Sequence, residues 1–526
     1  MIHVISPGTG INAGVVVKAA LKRSCGHSLV QPVSIAHMTS WLNKPGQATC
    51  WVLIDPPETW SNLIIKALRS NTKVMLFGNI PPSLADYLGA TVAPLSDEFH
   101  EAAVCPPAST HHFSESPAQI RYLMDLPLAS PIANRPLLRY DFSDEWNNLG
   151  YGAIRTDGSA WSVSQQAHIP ALALMAEITV GERDLTAYCG LWDYQTSSLL
   201  WFNRSVGPID SQEWRIVEEF LANHRHHELP CWPVLHEIPY GYDAAVTMRL
   251  DCDEDIESAR PLWKLYQRLE IPFSLAVHTH ILTDERQHTL LKDVLAGGGA
   301  ILSHTATHAP NWGGSYNAAL DEARFSADLI QQATGRRVRY AVSPFHQTPD
   351  YARSALADAG YTGCIGGIIC NDPDFLMARA GTPPGSSDGF IGHSQQCMLH
   401  GDCLLQTADP LAVYKQAFEL AKAGKAFFGY LDHPFSTRYQ YGWADELQRS
   451  AMHKEFISFM KNNGKVLFCS QDDALDFLNY KAATGIVPGG DNGFRIVTSS
   501  CYQAKWKLAV EYADTIQPVP EQGLLL

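Results

Sequence analysis

From about residue 243 onward, short apolar runs alternate with helical patterns, and this rhythm leaves few folds open to the chain. AAVTMRL precedes a stretch in which Leu262, Leu265, Tyr266 and Leu269 share one helical face. FSLAVH, TLLKDVLA and AILSH follow, then the helical AALDEARFSADLIQQAT, which stops at Gly335. RYAVS, PDYARSALADAG, YTGCIGGII, LAVYKQAFELAKAG, KAFFGYL, LQRSAMHKEFISFMKNNG, KVLFCS and DDALDFL complete the series. About seven strand–helix units in one span predict an α/β fold closed, or nearly closed, into a deformed (β/α) barrel. Barrels of this kind keep their chemistry at the C-terminal ends of the strands, and the polar residues here fall at those ends.

Read in order, the first strand ends in Asp251, Asp253, Glu254 and Asp255, and the second in His278 and His280. The third ends in His304 and His308, the fourth in Ser343 to His346, and the penultimate in Asp432, His433 and Pro434. Two histidines four apart turn their rings the same way, as a metal ion requires of its ligands. The bland readings are plain enough. A strand-end acid is often a helix cap, and a single histidine on an apolar segment is usually structural. The order and the strand–helix spacing favour the functional reading for Asp251, Asp253, His304, His308 and His433. Glu254, Asp255, His278 and His280 read better as loop or cap residues.

With those residues in view, the sequence resembles the polysaccharide deacetylases, carbohydrate esterase family 4, also called the chitooligosaccharide deacetylase homology domain. The resemblance spans about residues 243 to 485, under half the chain. His304-Thr305-Ala306-Thr307-His308 fits the family's His-[Ser/Thr]-x-x-His motif, and Leu431-Asp432-His433 fits its Leu-x-His motif. The family's acidic motif is usually two adjacent aspartates; here Cys252 splits the pair. The resemblance implies Asp251 as catalytic base, Asp253, His304 and His308 as metal ligands, and His433 as general acid. It further implies a divalent metal, Zn²⁺ first, with Co²⁺, Mn²⁺ or Ni²⁺ as alternatives.

Such a set has a direct chemical use. Two imidazoles and a carboxylate leave a coordination position for water on the ion. The ion acidifies that water and polarises an acyl carbonyl. A carboxylate takes the proton and an imidazolium protonates the leaving nitrogen.

Two motifs depart from the family pattern. Where the family has an Arg-x-Pro-Tyr-like motif, this chain has Val342-Ser343-Pro344-Phe345, without the arginine that orients the base. Arg249, two residues before Asp251 and so on the same strand face, is positioned to supply that charge. The Asp-x-x-Asp-Trp motif is matched only loosely by Asn371-Asp372-Pro373-Asp374-Phe375. By resemblance, Pro344, Phe345, His346, Asp374 and Trp312 are assigned to substrate contact. The segment GFIGHSQQCMLHGDC, with His393, His400 and Asp402, reads equally as a pocket wall or an insertion.

The rest of the 526-residue chain exceeds what one core holds. Residues 1–103 alternate strands and helices (IHVIS, GVVVKAALKR, CWVLID, SNLIIKALRS, KVMLFG) and predict a small Rossmann-like open α/β domain. GTGINAG nearly spells a dinucleotide fingerprint, but the acid expected about 20 residues on is missing, so a tight strand–helix turn is the better reading. Residues 104–242 predict an α+β region, 243–485 the barrel, and 486–526 a C-terminal extension. The Trp192, Tyr194, Trp201 and Phe202 cluster reads as core before it reads as a sugar platform.

A formal charge of −15 argues against nucleic acid or an anionic membrane as the main partner. The 12 cysteines contain no Cys-x-x-Cys pair, which disfavours a thiolate metal site. No apolar run approaches the roughly 18 residues of a membrane span, and the first residues read as a strand, so a cytoplasmic protein is expected.

The expectation is a metal-dependent hydrolase of C–N bonds other than peptide bonds. It would act on an acylated amino sugar of a bacterial surface polysaccharide or its precursor, O-antigen among them. Its alternatives are O-deacetylation or deformylation by the same site, and a degenerate relative that only binds carbohydrate.

Overall fold

The computed structural model describes residues 1–526 apart from 9–10, 45–47, 104–117, 124–127, 129–136, 139–155, 181, 209–212, 367–379, 385–388, 395–396, 437, 490–492 and 500. From Ala244 the alternation folds into a single curled sheet of nine strands, every pairing parallel. Its order begins at Ile391–Ser394 and passes through Gly363–Gly366, Tyr340–Val342, Ala300–Ser303 and Ser274–Val277 to Ala244–Cys252. It continues through Phe428–Asp432 to Cys397–Met398. This is the deformed barrel the rhythm predicts. Among the described residues no ladder joins the two end strands, so the barrel is open there.

The deformation has a visible cause. Ala244–Cys252 pairs along one edge with Phe428–Asp432. Its other edge is shared: Ala244–Thr247 pairs with Val466–Cys469, and Leu250–Cys252 with Ser274–Val277. The strand is buried over its whole length, and its shared edge passes from Val466–Cys469 to Ser274–Val277 toward its carboxyl-terminal end. That end carries Asp251.

The long helix Tyr316–Thr334 is capped as its sequence foretells. The Ser315 hydroxyl accepts from the Ala318 amide, and Gly335 takes the left-handed conformation that stops the helix.

Strands Ile391–Ser394 and Cys397–Met398 lie in the polar segment that reads equally as a pocket wall or an insertion. The apolar run is interrupted because His393, a polar residue in the first of these strands, is itself buried.

In the first half of the chain, four parallel strands, Ile2–Ile5, Val30–Pro32, Cys50–Ile54 and Thr72–Phe77, make the open α/β portion. Thr72–Phe77 pairs in turn with Ser197–Phe202, which leads into the antiparallel Arg183–Tyr194, Leu174–Val180 and Ala118–Tyr122. One sheet therefore crosses residue 103, where the sequence placed a boundary. The 104–242 region completes the sheet begun by 1–103. Trp192 and Trp201 are buried in it, donating to the carbonyls of Leu88 and Gly78. They are core.

Helix Trp214–Ala222 is buried nearly all round, although its sequence looks amphipathic. Its Arg215 and Glu218 are paired, and Arg215 also meets Glu511 on Ala509–Tyr512. That C-terminal strand pairs with Val234–Leu235, which fastens the extension to the middle of the chain. No helix among the described residues is long and apolar enough to cross a membrane.

Candidate metal centre and active site

Asp251 is the penultimate residue of its strand and Asp253 follows the strand's end, so the two carboxylates project from neighbouring positions on one side. His304 follows directly on Ala300–Ser303, two strands away. The loop after it turns sharply, with Thr305 and His308 at φ 64° and 54°, and brings His308 back over the strand end. The ring nitrogens meet: His308 Nε2 lies 3.1 Å from His304 Nε2, and each lies 3.5 Å from Asp253 Oδ1.

Those separations match the roughly 3.3 Å between donors of a tetrahedral ion with bonds of about 2.0–2.1 Å. Asp253 Oδ1 is buried and finds no hydrogen-bond donor among the described residues. Burial, with the charges of Asp251 and Glu254 beside it, pushes the Asp253 carboxyl up to about 8. Burial also lowers His304 to about 3 and His308 to about 4, which keeps both rings neutral and free to donate lone pairs. His304 Nδ1 lies 3.1 Å from the Val342 carbonyl, a contact that places the proton there and leaves Nε2 for a ligand. Two neutral imidazoles, a carboxylate and an unsatisfied buried oxygen form a donor set that fits a divalent ion.

Arg249 and Asp251 form a buried fork. Arg249 Nε donates to Oδ1 at 2.6 Å and Nη2 to Oδ2 at 3.1 Å. Burial opposes ionisation of Asp251, yet the guanidinium outweighs it and holds the carboxyl well below the ordinary aspartate range. The charge that the third motif lacks is thus present on the strand of Asp251 itself.

Across the site, His433 Nε2 stands 3.7 Å from Asp253 Oδ2. The ring stacks on Tyr441 at 4.2 Å, and its Nδ1 lies 2.8 Å from His400 Nε2. Asp432, fully buried, accepts from the His433 amide and from Trp443 Nε1, and lies 3.0 Å from His453 Nε2. Arg449 donates to the His433 carbonyl at 2.7 Å.

Gly401 and Gly442 allow this packing. A Cβ on Gly401 would fall 2.3 Å from the Gly442 backbone, so only glycine lets the loop of His400 meet the loop of Tyr441.

The residues assigned to substrate divide. Phe345 is 39% exposed and packs its ring 4.8 Å from His308. Pro344 is buried, and His346 closes the one-turn helix Pro344–His346. Trp312 has no exposed surface and donates to Ser343 Oγ, so it braces the loop from beneath and offers nothing to a ligand. Asp374 lies outside the described residues. Sequence reasoning left His400 in a segment that reads equally as a pocket wall or an insertion, and it missed Arg449 and His453. Their spacing of four on helix Glu446–Lys461 was the available signal, and it is a weak one.

A family model described as polysaccharide deacetylase matches residues 255–364. Among solved structures, the chain is similar to a polysaccharide deacetylase from Mycobacterium smegmatis at 13% identity and TM-score 0.37, over 46% of this chain and 92% of that one. A polysaccharide deacetylase from Pseudomonas aeruginosa PAO1 aligns at 14% identity and TM-score 0.36, over 46% and 93%. A family 4 acetyl xylan esterase from Clostridium thermocellum, solved with a cobalt ion, aligns at 11% identity and TM-score 0.29, over 44% and 90%. No curated protein matches the chain. By the family match, residues 255–364, within the barrel, resemble a polysaccharide deacetylase domain.

Proposed function

We propose that the chain is a metal-dependent deacetylase that hydrolyses the N-acyl group of an amino sugar in a bacterial surface polysaccharide or its precursor. The observation that carries this reading is the convergence of Asp253, His304 and His308, with the Arg249–Asp251 fork on one side and His433 on the other. Asp253, His304 and His308 would hold a divalent ion, Zn²⁺ by donor type, which when bound would supply Lewis acidity to the acyl carbonyl and to water. Asp251, kept ionised by Arg249, accepts the proton of the attacking water. His433 delivers a proton from Nε2 to the departing amine, while Nδ1 stays engaged with His400. Phe345 covers His308 and limits solvent on that side.

The test pairs two measurements. Elemental mass spectrometry on protein purified without added metal is expected to find a stoichiometric divalent ion that a His304→Ala/His308→Ala variant lacks. Free-amine release from N-acetylated oligosaccharides and nucleotide-linked amino sugars is expected to follow that ion. Ester cleavage without amine release would make the same site an O-deacetylase. Metal without either activity would leave carbohydrate binding.

A further inference from the structure

A cavity of about 660 Å³ opens between helix Ile11–Cys25, the last turn of helix Gln471–Ala483 and the segment Gly381–Pro383. It lies at the amino-terminal end of the barrel. Ile391, in its wall, begins strand Ile391–Ser394, and Ala482 and Ala483 end a helix that starts directly after the last strand. The metal centre lies at the carboxyl-terminal ends of other strands of the same sheet, Ala244–Cys252, Ala300–Ser303 and Phe428–Asp432. The two sites share no lining residue.

The wall carries Lys18, Lys22, Arg23 and His27 and, among the described residues, no carboxylate. That bias runs against a chain with 54 acidic and 39 basic residues, and a pocket lined by one sign of charge concentrates ions of the other. Folding alone gives little reason for it. Lys18 and Lys22 stand four apart on one helix, and like charges at that spacing weaken a helix. Cations do suit a helix C-terminus, but this one is already met from below. The buried ammonium of Lys481 donates to the Arg23 carbonyl. Arg23 itself is fixed to the wall by donating from Nε and Nη2 to the Thr382 carbonyl. Val15, Ala19 and Pro383, with the Tyr502 ring, supply an apolar side to the same cavity.

We propose that this cavity binds a phosphate-bearing small molecule, with the phosphates against Lys18, Lys22 and Arg23 and the organic part against the apolar wall and Tyr502. Several converging cations suit the multiple charges of a phosphate ester better than the single charge of a carboxylate. The volume is that of a small-molecule site. The proposal does not depend on the deacetylase reading.

Isothermal titration calorimetry on the full chain tests it, with uridine diphosphate, inorganic pyrophosphate and uridine as probes. Saturable binding of uridine diphosphate is expected, weakened by about tenfold or more in Lys18→Gln/Lys22→Gln. It should be unchanged by metal chelation and in Lys264→Gln/Lys292→Gln, two exposed lysines on barrel helices. Pyrophosphate binding with the same lysine dependence supports the phosphate assignment, and a gain for uridine diphosphate over pyrophosphate supports the apolar wall's role. If the double variant does not melt cooperatively, Lys18→Gln alone serves in its place. The proposal is overturned if neither phosphate probe saturates in the millimolar range. It is equally overturned if a stably folded lysine variant binds undiminished, or if chelation abolishes binding.

Discussion

His400 Nε2 lies 2.8 Å from His433 Nδ1, so the two imidazoles share one proton and the other nitrogen of His433 is left to face Asp253. A histidine that must protonate a leaving group needs one orientation and one tautomer, and a partner on its far nitrogen provides both. His400→Ala is expected to lower kcat by about 10- to 100-fold while bound metal, read by elemental analysis, stays constant. An unchanged kcat would remove His400 from the mechanism.

Arg249 is the sole arginine fork on Asp251 among the described contacts, and both groups are buried. Arg249→Ala strands a buried carboxylate and is expected to cost about 3–5 kcal/mol of stability in denaturant melts. Arg249→Lys keeps the charge but cannot make two parallel bonds, so it should fold better and still lose kcat.

Trp312 and Phe345 separate support from contact. Trp312→Ala empties a buried site and is expected to cost about 3–5 kcal/mol. Trp312→Phe should lower Tm and leave KM alone. Phe345→Ala should do the reverse, raising KM with little change in Tm.

Glu511 carries a pH dependence that is independent of the active site. Burial alone would raise its carboxyl, but His236 and Arg215 outweigh burial and hold it well below the ordinary glutamate value. The unfolded chain therefore takes up this proton first as pH drops. The stabilisation is complete above the unfolded value near pH 4.3 and is lost as pH falls from there toward the folded value. Glu511→Gln is expected to be less stable at neutral pH and to lose stability less steeply in acid, as read from Tm against pH.

Gly401→Ala places a methyl against the Gly442 backbone, and backbone cannot yield as a side-chain tip can. A loss of about 1–3 kcal/mol is expected. The accompanying shift of His400 and Tyr441 should lower kcat more than it raises KM.

The strand–helix rhythm, the histidine pair four apart, the split aspartates and the late Leu-Asp-His were all readable in order along the chain. Each is a local pattern: a period of side-chain burial, or a polar residue where a strand must end. The pairing of Arg249 with Asp251 was readable for the same reason, since residues two apart on a strand share a face.

Tertiary structure alone decided the rest. The continuation of one sheet through residue 103 depends on Thr72–Phe77 finding Ser197–Phe202, more than 100 residues away, and no local period encodes a partner. The same holds for His400 beside His433, Trp312 beneath its loop, and the meeting of helix Ile11–Cys25 with Gly381–Pro383 and Tyr502 around the second cavity. Sequence states which residues can do chemistry. Only the packing of distant segments sets which of them meet, because contact free energy is realised between surfaces that the chain order does not place together.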